Sequence, residues 1–243
     1  MSLYRDEAIV LRTQKLGEAD RIITLLTREH GRIRGVAKGV RRTKSKFGAR
    51  LEPGSHVDIQ LYTGRTFDTV TQVESIFNYG EALTEDYSRW TIAGAILEAA
   101  ERFTSHEHEP ALQEFKLVTG AMKALADEKY DPSMILDAYL LRSLAVGGYA
   151  PSLTNCSKCD ASGPHRYFSL VGGGLVCADC RPSASATPAP ETLKLMSDLI
   201  SGNWESAMAS ELRNRREANG LIAAYLQWHL ERGLRSMQLV ERA

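Results

Sequence analysis

The four cysteines of the chain form two Cys-x-x-Cys pairs, Cys156/Cys159 and Cys177/Cys180, with 17 residues between the pairs. This spacing is typical of a site in which two knuckles present four sulfurs to one zinc ion. Because four thiolates complete a tetrahedral shell, no coordination position remains open for water or a substrate. The spacing therefore predicts one structural Zn²⁺ ion per chain and argues against a catalytic metal.

Two disulfide bonds or four free thiols are the alternatives to a zinc site. Small disulfide frameworks belong to short secreted chains, whereas this chain has 243 residues and starts with charged residues instead of an apolar signal segment. The zinc deaminase signature is also missing, because no His-x-Glu precedes the pairs and Val176, not Pro, precedes Cys177. Between the pairs, residues 165–170 and 175–176 flank three glycines, which predicts the short hairpin of a zinc ribbon over 156–180.

Positive charge is concentrated in the N-terminal part of the chain. Residues 1–80 carry 14 Lys and Arg against 9 Asp and Glu, whereas residues 81–243 carry 16 against 21. Residues 28–50 hold nine of the cations and a single acid, Glu29. Such a segment can neutralise the phosphates of a nucleic acid, and the alternative is a solvated, flexible surface loop. The candidate nucleic-acid-binding residues are Arg32, Arg34, Lys38, Arg41, Arg42, Lys44 and Lys46.

Five short runs rich in β-branched residues precede residue 80 and predict strands. They are residues 8–11, 22–27, 33–37, 57–62 and 70–73, and glycines separate them as turns. Five strands in about 75 residues suit a small closed barrel of the oligonucleotide-binding (OB) type. The candidate cations then lie on the third strand and on the loop that follows it. Phe47, Tyr62 and Phe67 are available either to stack on bases or to pack in the barrel core.

From residue 81 onward the apolar residues recur at helical spacing. This pattern predicts helices at about 84–103, 112–125, 132–146 and 193–202, and either one long helical tract or two helices at about 205–236. Trp90 and Trp228 fall on the apolar faces of the first and the last of these helices and are expected to pack inward. The predicted fold class is therefore α+β. It combines a five-stranded OB barrel over 1–80 with a C-terminal helical domain over 81–155 and 181–243, into which the four-cysteine zinc ribbon of 156–180 is inserted.

The sequence carries few signals of enzyme chemistry. It lacks a phosphate-binding loop, a dinucleotide fingerprint and a nucleophile elbow, and the predicted zinc site commits all four thiols. Residues 106–109, His-Glu-His-Glu, lack the His-Glu-x-x-His spacing of a zinc protease, so an exposed loop is expected there. A nuclease needs clustered carboxylates for its metal ions, and the basic segment supplies almost none. We expect a non-enzymatic protein. No apolar run approaches the roughly 18 residues of a membrane helix, so no membrane association is expected.

Several stretches together resemble the RecO family of bacterial DNA-repair and recombination mediators. They are residues 17–22, 27–31 and 35–39 near the N-terminus and residues 147–151 before the first cysteine pair. The similarity runs along most of the chain. That family usually has Gly after the first knuckle, where this chain has Asp160. Because Asp tolerates a left-handed backbone better than most residues, the departure leaves the resemblance intact.

The resemblance implies an OB barrel, a helical domain and an inserted zinc ribbon, in agreement with the patterns above. It also implies binding of single- and double-stranded DNA, annealing of complementary strands, and partnership with RecR and with the single-stranded DNA-binding protein (SSB). Together these help to load RecA onto coated strands, in the bacterial cytoplasm and at the nucleoid during repair. An RNA-binding or transcription accessory factor stays open, since OB barrels and zinc ribbons occur there too; a preference for RNA would favour it.

Overall fold

The computed structural model describes residues 2–230 and 233–240. The chain divides into two compact units, residues 1–129 and 130–243. The predicted α+β class is confirmed, with five strands in the N-terminal part and helices in most of the C-terminal part. Among the described residues, no helix is both long and apolar enough to cross a membrane.

Five strands form the sheet of the first unit, and each contains or overlaps one of the five predicted runs. They are β1 (Leu3–Leu16), β2 (Asp20–Thr27), β3 (Gly31–Ala37), β4 (Ser55–Tyr62) and β5 (Asp68–Asn78). The strands pair in the order β1-β2-β3-β5-β4, and β1 also pairs with β4, so the sheet closes on itself. The β3–β5 pairing is parallel and the others are antiparallel.

The length of β1 allows this closure. Residues 3–9 pair with β4, whereas most of residues 8–16 pair with β2. A register shift between Val10 and Arg12 marks a bulge, which lets one strand bend from one neighbour to the other. The inward side chains of the five strands then form a single apolar core.

Burial alternates along β3, with period two. Gly31, Ile33, Gly35 and Ala37 are buried, and the residues between them are half-buried. The loop that follows β3 returns to the same core, because Val40, Phe47 and Leu51 belong to the apolar cluster of the sheet. Leu51 ends a short 3₁₀ turn, Gly48–Leu51. The loop between β3 and β4 is therefore anchored at three points and is not a freely solvated segment.

Three helices complete the first unit: α1 (Tyr79–Ala82), α2 (Tyr87–Phe103) and α3 (Leu112–Ala126). The side chain of Asp86 caps α2 by accepting a hydrogen bond from Arg89 N at 3.0 Å. The prediction for Trp90 was wrong, because this side chain is 45% exposed. Trp90, Gly94 and Glu98 follow one another at i, i+4 spacing. They form the least buried face of α2.

The connection between α2 and α3 lies along β3. Arg32 and Glu107 form an isolated parallel bridge, and His108 N donates a hydrogen bond to Arg32 O at 2.9 Å. Gly31 packs directly against the backbone of this connection, since a Cβ atom placed on Gly31 would lie 1.7 Å from Glu109 O. We call residues 105–109 the β3 strap. It covers the part of the β3 edge that β5 does not reach.

The glycine beneath the strap gives a first prediction. We expect Gly31→Ala to lower the free energy of unfolding by more than about 2 kcal/mol, because φ is +67° and the new methyl group would collide with the Glu109 carbonyl. Gly17→Ala is the matched control. Its φ is +55°, but nothing lies within 4 Å of the new methyl group, so only about 1 kcal/mol of backbone strain is expected. Urea unfolding measures the free energy of unfolding of both variants. Equal losses of stability in the two would show that the strap does not pack tightly against β3.

Among its described residues, the second unit has four α-helices and a two-stranded sheet. They are α4 (Pro132–Val146), β6 (Tyr167–Ser169), β7 (Gly174–Val176), α5 (Pro190–Ser201), α6 (Trp204–Met208) and α7 (Leu212–His229). The start and stop signals of α4 are confirmed, because Asp131 Oδ1 accepts hydrogen bonds from Ser133 N and Met134 N, and Gly147 follows the last residue. The predicted hairpin is confirmed as β6 and β7.

The predicted helical tract at 205–236 is divided into α6 and α7, and α7 ends at His229. Residues 231–232, within that prediction, lie outside the described residues. Trp228 does not pack inward as predicted, because its side chain is 55% exposed. The buried stripe of α7 runs through Ala218, Ile222 and Tyr225, and Trp228 lies beside this stripe.

Candidate metal centre and nucleic-acid interface

The four cysteine sulfurs converge on one point in the second unit. All four Sγ atoms lie within 4.8 Å of one another, and those of Cys159 and Cys177 are 3.9 Å apart. The four cysteines are free thiols, and a disulfide would require about 2.05 Å. In a tetrahedron with Zn–S bonds of about 2.3 Å, neighbouring sulfurs are about 3.8 Å apart. The donor set and its spacing therefore fit a zinc ion.

The backbone of the first knuckle holds two of these sulfurs in place. Asp160 N donates to Cys156 O, and Cys156 N donates to Ala161 O, both at 2.9 Å. Asp160 has the left-handed backbone expected at this position, with φ +58°. Its carboxylate also accepts a hydrogen bond from Asn155 Nδ2 at 3.0 Å, so the side chain makes a local contact that glycine would not.

The hairpin connects the two knuckles to the rest of the second unit. Ser157 N donates to Leu175 O at 2.8 Å, which ties the first knuckle to β7. Phe168 on β6 is buried, and its ring packs edge-on against Tyr225 of α7 with the ring centroids 5.8 Å apart. The position of the sulfurs and the packing of α7 therefore depend on the same three-residue strands.

Hydrogen bonds within the cluster move the pKa of Cys156 and the pKa of Cys180 in opposite directions. The pKa of Cys156 is lowered to about 6, mainly because its sulfur accepts a hydrogen bond from the backbone N–H of Cys177. Hydrogen bonding with the thiols of Cys177 and Cys159 raises the pKa of Cys180 to about 12. Without metal the cluster would therefore retain protons at neutral pH, and a zinc ion binding to four thiolates would displace them.

The loop after β3 presents most of the candidate nucleic-acid-binding residues. Six cations from residue 38 to residue 50 are exposed: Lys38, Arg41, Arg42, Lys44, Lys46 and Arg50. Within the part of the chain that the structure describes, none of the six forms an ion pair. Their charges are therefore uncompensated by the protein, whereas those of Arg5, Arg12 and Arg28 each face a carboxylate. We call these six residues the basic loop.

Two members of the basic loop are fixed by hydrogen bonds to carbonyl groups of neighbouring elements. Arg41 Nη1 donates to Glu18 O at 2.9 Å in the β1–β2 turn, and Lys46 Nζ donates to Thr71 O at 2.9 Å on β5. Among the described residues, the side chains of Lys38, Arg42 and Lys44 make no such contact. Arg50 Nη1 donates to Lys46 O within the loop at 3.2 Å, so three of the six cations have side-chain hydrogen bonds and three have none among the described residues.

Arg32 and Arg34 differ from the basic loop, because both contact the β3 strap. Arg32 is largely buried, and its Nη2 donates to Ser105 O at 2.6 Å. Arg34 Nε lies 2.6 Å from Glu107 Oε1, at an angle that makes the contact an ion pair and not a hydrogen bond. The guanidinium of Arg34 also lies over the ring of Phe67, 4.9 Å from its centroid.

The three aromatic residues considered for base stacking occupy different environments. Phe47 is 2% exposed and belongs to the core of the sheet, so it is not available to a base. Tyr62, at the end of β4, is 41% exposed. Phe67 is half-buried in the β4–β5 loop beneath Arg34. An aromatic face is therefore offered by Tyr62 and, in part, by Phe67.

Comparison with known proteins identifies the family. The family model described as "Recombination protein O N terminal" matches residues 1–79, and "Recombination protein O C terminal" matches residues 84–238. The chain belongs to the RecO family. Two of its relatives are proteins named DNA repair protein RecO from Thermobifida fusca and Streptomyces avermitilis, each 58% identical over the full length of both chains. A third, from Frankia casuarinae with the same name, is 53% identical, again over both full lengths.

The two RecO family models together contain every candidate site residue. The N-terminal model ends at residue 79, so it contains all five strands of the first sheet and the basic loop. The C-terminal model contains the four cysteines and the helices from α2 to α7.

Sequence reasoning missed the partner of Arg34. Glu107 was expected on an exposed loop, but its side chain is only 25% exposed and faces Arg34, with Arg32 Nη2 at 3.7 Å. The only signal in the sequence was that Glu107 belongs to a run of four titratable residues, 106–109. Such a run does not indicate a contact with β3, which lies about 70 residues earlier in the chain. The other acid of the run, Glu109, is 69% exposed and faces His106.

Proposed function

We propose that this RecO-family chain is a DNA-binding recombination mediator. In this proposal it binds single- and double-stranded DNA, anneals complementary single strands, and acts with RecR to help load RecA onto SSB-coated strands. The name that its full-length relatives carry, DNA repair protein RecO, supports DNA repair as the process. The cytoplasm, with the nucleoid during repair, is the location that this function requires.

The observation that carries the proposal is the basic loop on the first sheet. Six exposed cations without ion pairs among the described residues supply the charge that phosphates need, and three of them make no side-chain hydrogen bond among those residues. Cations that neutralise phosphates release counterions, which gives affinity without regard to base sequence. A protein that anneals strands of any sequence requires this kind of contact.

We further propose that the closed five-stranded sheet is an OB barrel. The strand order β1-β2-β3-β5-β4 supports this assignment. OB folds bind nucleic acid on the face of strands 2 and 3, between the loops that join strands 1–2 and 4–5. Arg41 bonds to the first of these loops, and Arg34 on β3 contacts Phe67 in the second. The basic loop therefore borders the surface that such a fold uses.

In this mechanism the protein supplies binding energy only. Neutralisation of two phosphate backbones lets complementary strands approach each other, and base pairing then drives the reaction forward. No bond to a nucleotide is broken, so we propose that the chain is not an enzyme. The cysteine cluster would hold one Zn²⁺ that fixes the two knuckles and β6–β7, and its four thiolates leave no site for a reaction.

Annealing without ATP is the test of this function. We expect the purified protein to accelerate the annealing of complementary single strands at low salt, and to do so on strands that carry SSB. Fluorescence of labelled strands measures the rate with and without ATP. Intrinsic ATP hydrolysis, or no annealing at low salt, would contradict the mechanism. Tighter binding to RNA than to single-stranded DNA of equal sequence would favour an RNA-binding accessory factor instead.

A further inference from the structure

The contact between the β3 strap and β3 points to a gated phosphate site. We propose that Glu107 occupies the position of a DNA phosphate on Arg34, so that Arg34 becomes available to single-stranded DNA only when this ion pair opens. The inference rests on the proposed function, since it names a contact of the same DNA surface. In this proposal Arg34 differs from the cations of the basic loop, which are available to DNA at all times.

A carboxylate lies against Arg34 in a position where a phosphate could pair with the same guanidinium. The carboxylate of Glu107 lies 2.6 Å from Arg34 Nε, and the side chain of Arg34 remains 37% exposed. Phe67 also restricts the movement of Arg34, because the centroid of its ring lies 4.9 Å from the guanidinium carbon. A guanidinium held in one orientation binds carboxylate and phosphate oxygens in the same way. Glu107 and a phosphate therefore compete for one group.

Arg32 has a different role, which is to hold the strap in place. Its side chain is 15% exposed, and it donates to the carbonyl groups of Ser105 at 2.6 Å and Glu101 at 3.4 Å. The backbone bond from His108 N to Arg32 O adds a further link. Arg32 Nη2 also lies 3.7 Å from Glu107 Oε1, but the hydrogen bonds of Arg32 to the strap backbone do not involve the Glu107 carboxylate. The strap is therefore expected to stay on β3 when Glu107 is replaced, and the double variant described below separates the release of Arg34 from that of Arg32.

The expected effect of opening the gate follows from counterion release. Each additional phosphate contact on a single strand changes the slope of log K against log salt by about 0.7, which is about fivefold in affinity at 0.1 M salt. We expect Glu107→Gln to steepen the slope by about 0.7 and to tighten binding of an oligothymidylate by about fivefold at 0.1 M salt. Arg34→Gln alone is expected to leave the slope unchanged, since the group is already withheld.

Two controls separate the gate from a change in net charge. Glu109→Gln removes the same charge from the same strap, but Glu109 faces the exposed His106 and not an arginine, so we expect no change in slope. Glu107→Asp keeps the charge and withdraws it by one methylene group, so we expect a smaller increase in affinity. The double variant Arg34→Gln/Glu107→Gln is expected to return to the wild-type slope, because the released group is absent.

Fluorescence anisotropy of a labelled oligothymidylate at four salt concentrations measures the wild type and all five variants, and thermal unfolding checks that each is folded. Equal effects of Glu107→Gln and Glu109→Gln would overturn the gate. So would a loss of slope in Arg34→Gln alone, which would show that Arg34 contacts DNA in the wild type. If Glu107→Gln fails to fold, Glu107→Asp decides by the same criterion. If the wild-type protein shows no salt-dependent binding, the proposed function fails and the gate with it.

Discussion

Replacement of Cys177 by Ser is expected to abolish zinc binding and to unfold or aggregate the second unit. The loss is large because β6 and β7 have three residues each, and a hairpin of this size is not stable by itself in water. Metal binding supplies the missing energy, about 10–16 kcal/mol in small zinc domains, and this energy appears as folding energy. This energy is comparable with the whole stability of a typical domain, about 5–15 kcal/mol.

We expect the loss of structure in this variant to extend beyond the zinc knuckles. Phe168 on β6 is 1% exposed and packs on Tyr225, so release of the hairpin removes a large side chain from the surface of α7. Loss of such a contact costs about 3–5 kcal/mol when an aromatic side chain is removed from a core. We therefore expect cooperative loss of structure in the second unit, measured by circular dichroism and by light scattering.

Ala178→Ser is the matched control for this experiment. It places the same hydroxymethyl group next to Cys177, at an exposed position, and leaves all four thiols in place. Elemental analysis should find one zinc per chain in the wild type and in this control, and almost none in Cys177→Ser. Freshly purified wild-type protein with no zinc and with two disulfides by mass would refute the metal centre, as would a folded Cys177→Ser variant that holds a full equivalent of zinc.

The parts of the fold that sequence reasoning predicts correctly are those with a local cause. Five β-branched runs separated by glycines become five strands. The Asp131-Pro132 pair starts α4, because the carboxylate caps two N–H groups and proline needs no partner there. The cysteine pairs converge because a Cys-x-x-Cys turn places both sulfurs on one side. In each case the signal and the structure lie within a few residues of each other.

The errors concern contacts between residues far apart in the chain. Helical spacing shows that Trp90 and Trp228 lie on a face of a helix, but only the packing of other elements decides which face is buried. Phe47 is not among the errors, since a core position was one of the two interpretations left open for it, and it is buried because its loop folds back onto the sheet. Glu107 reaches Arg34 across 73 positions of the chain, and no local pattern of either residue indicates it.

The basic loop was correctly placed after the third strand, and three apolar residues of the β3–β4 segment are buried in the core of the sheet. Burial of Val40, Phe47 and Leu51 fixes its path, so its cations project from a defined backbone. Side chains on an ordered backbone lose less entropy when they bind a phosphate than those on a mobile loop. The structure therefore strengthens the case for testing this loop as the phosphate site.

Neutralisation of four members of the loop is the last prediction. Replacement of Arg41, Arg42, Lys44 and Lys46 together by Ala is expected to weaken binding of single-stranded DNA and to lower the salt slope by up to about 3 units, because each lost phosphate contact removes about 0.7. The zinc content should not change. Binding isotherms at several salt concentrations measure the slope.

The quadruple variant can be divided into two pairs, which the contacts of the loop distinguish. Arg42→Ala/Lys44→Ala removes side chains that make no hydrogen bond or ion pair among the described residues, so we expect a loss of about 1.4 in slope with almost no change in melting temperature. Arg41→Ala/Lys46→Ala removes the bonds to Glu18 O and Thr71 O as well, and each is worth about 1 kcal/mol. This second pair should therefore lose slope and also melt at a lower temperature.

Arg102→Ala/Lys116→Ala serves as the control, because it removes two exposed charges from α2 and α3 of the same unit. If DNA responded only to net charge, this variant and Arg42→Ala/Lys44→Ala would lose the same slope. We expect the control to lose almost none, since phosphate contacts act over the Debye length of about 10 Å at 0.1 M salt and not over the whole protein. An unchanged affinity at two salt concentrations in the folded quadruple variant would place the DNA site elsewhere, with Arg213, Arg215 and Arg216 at the start of α7 as the next basic cluster to neutralise.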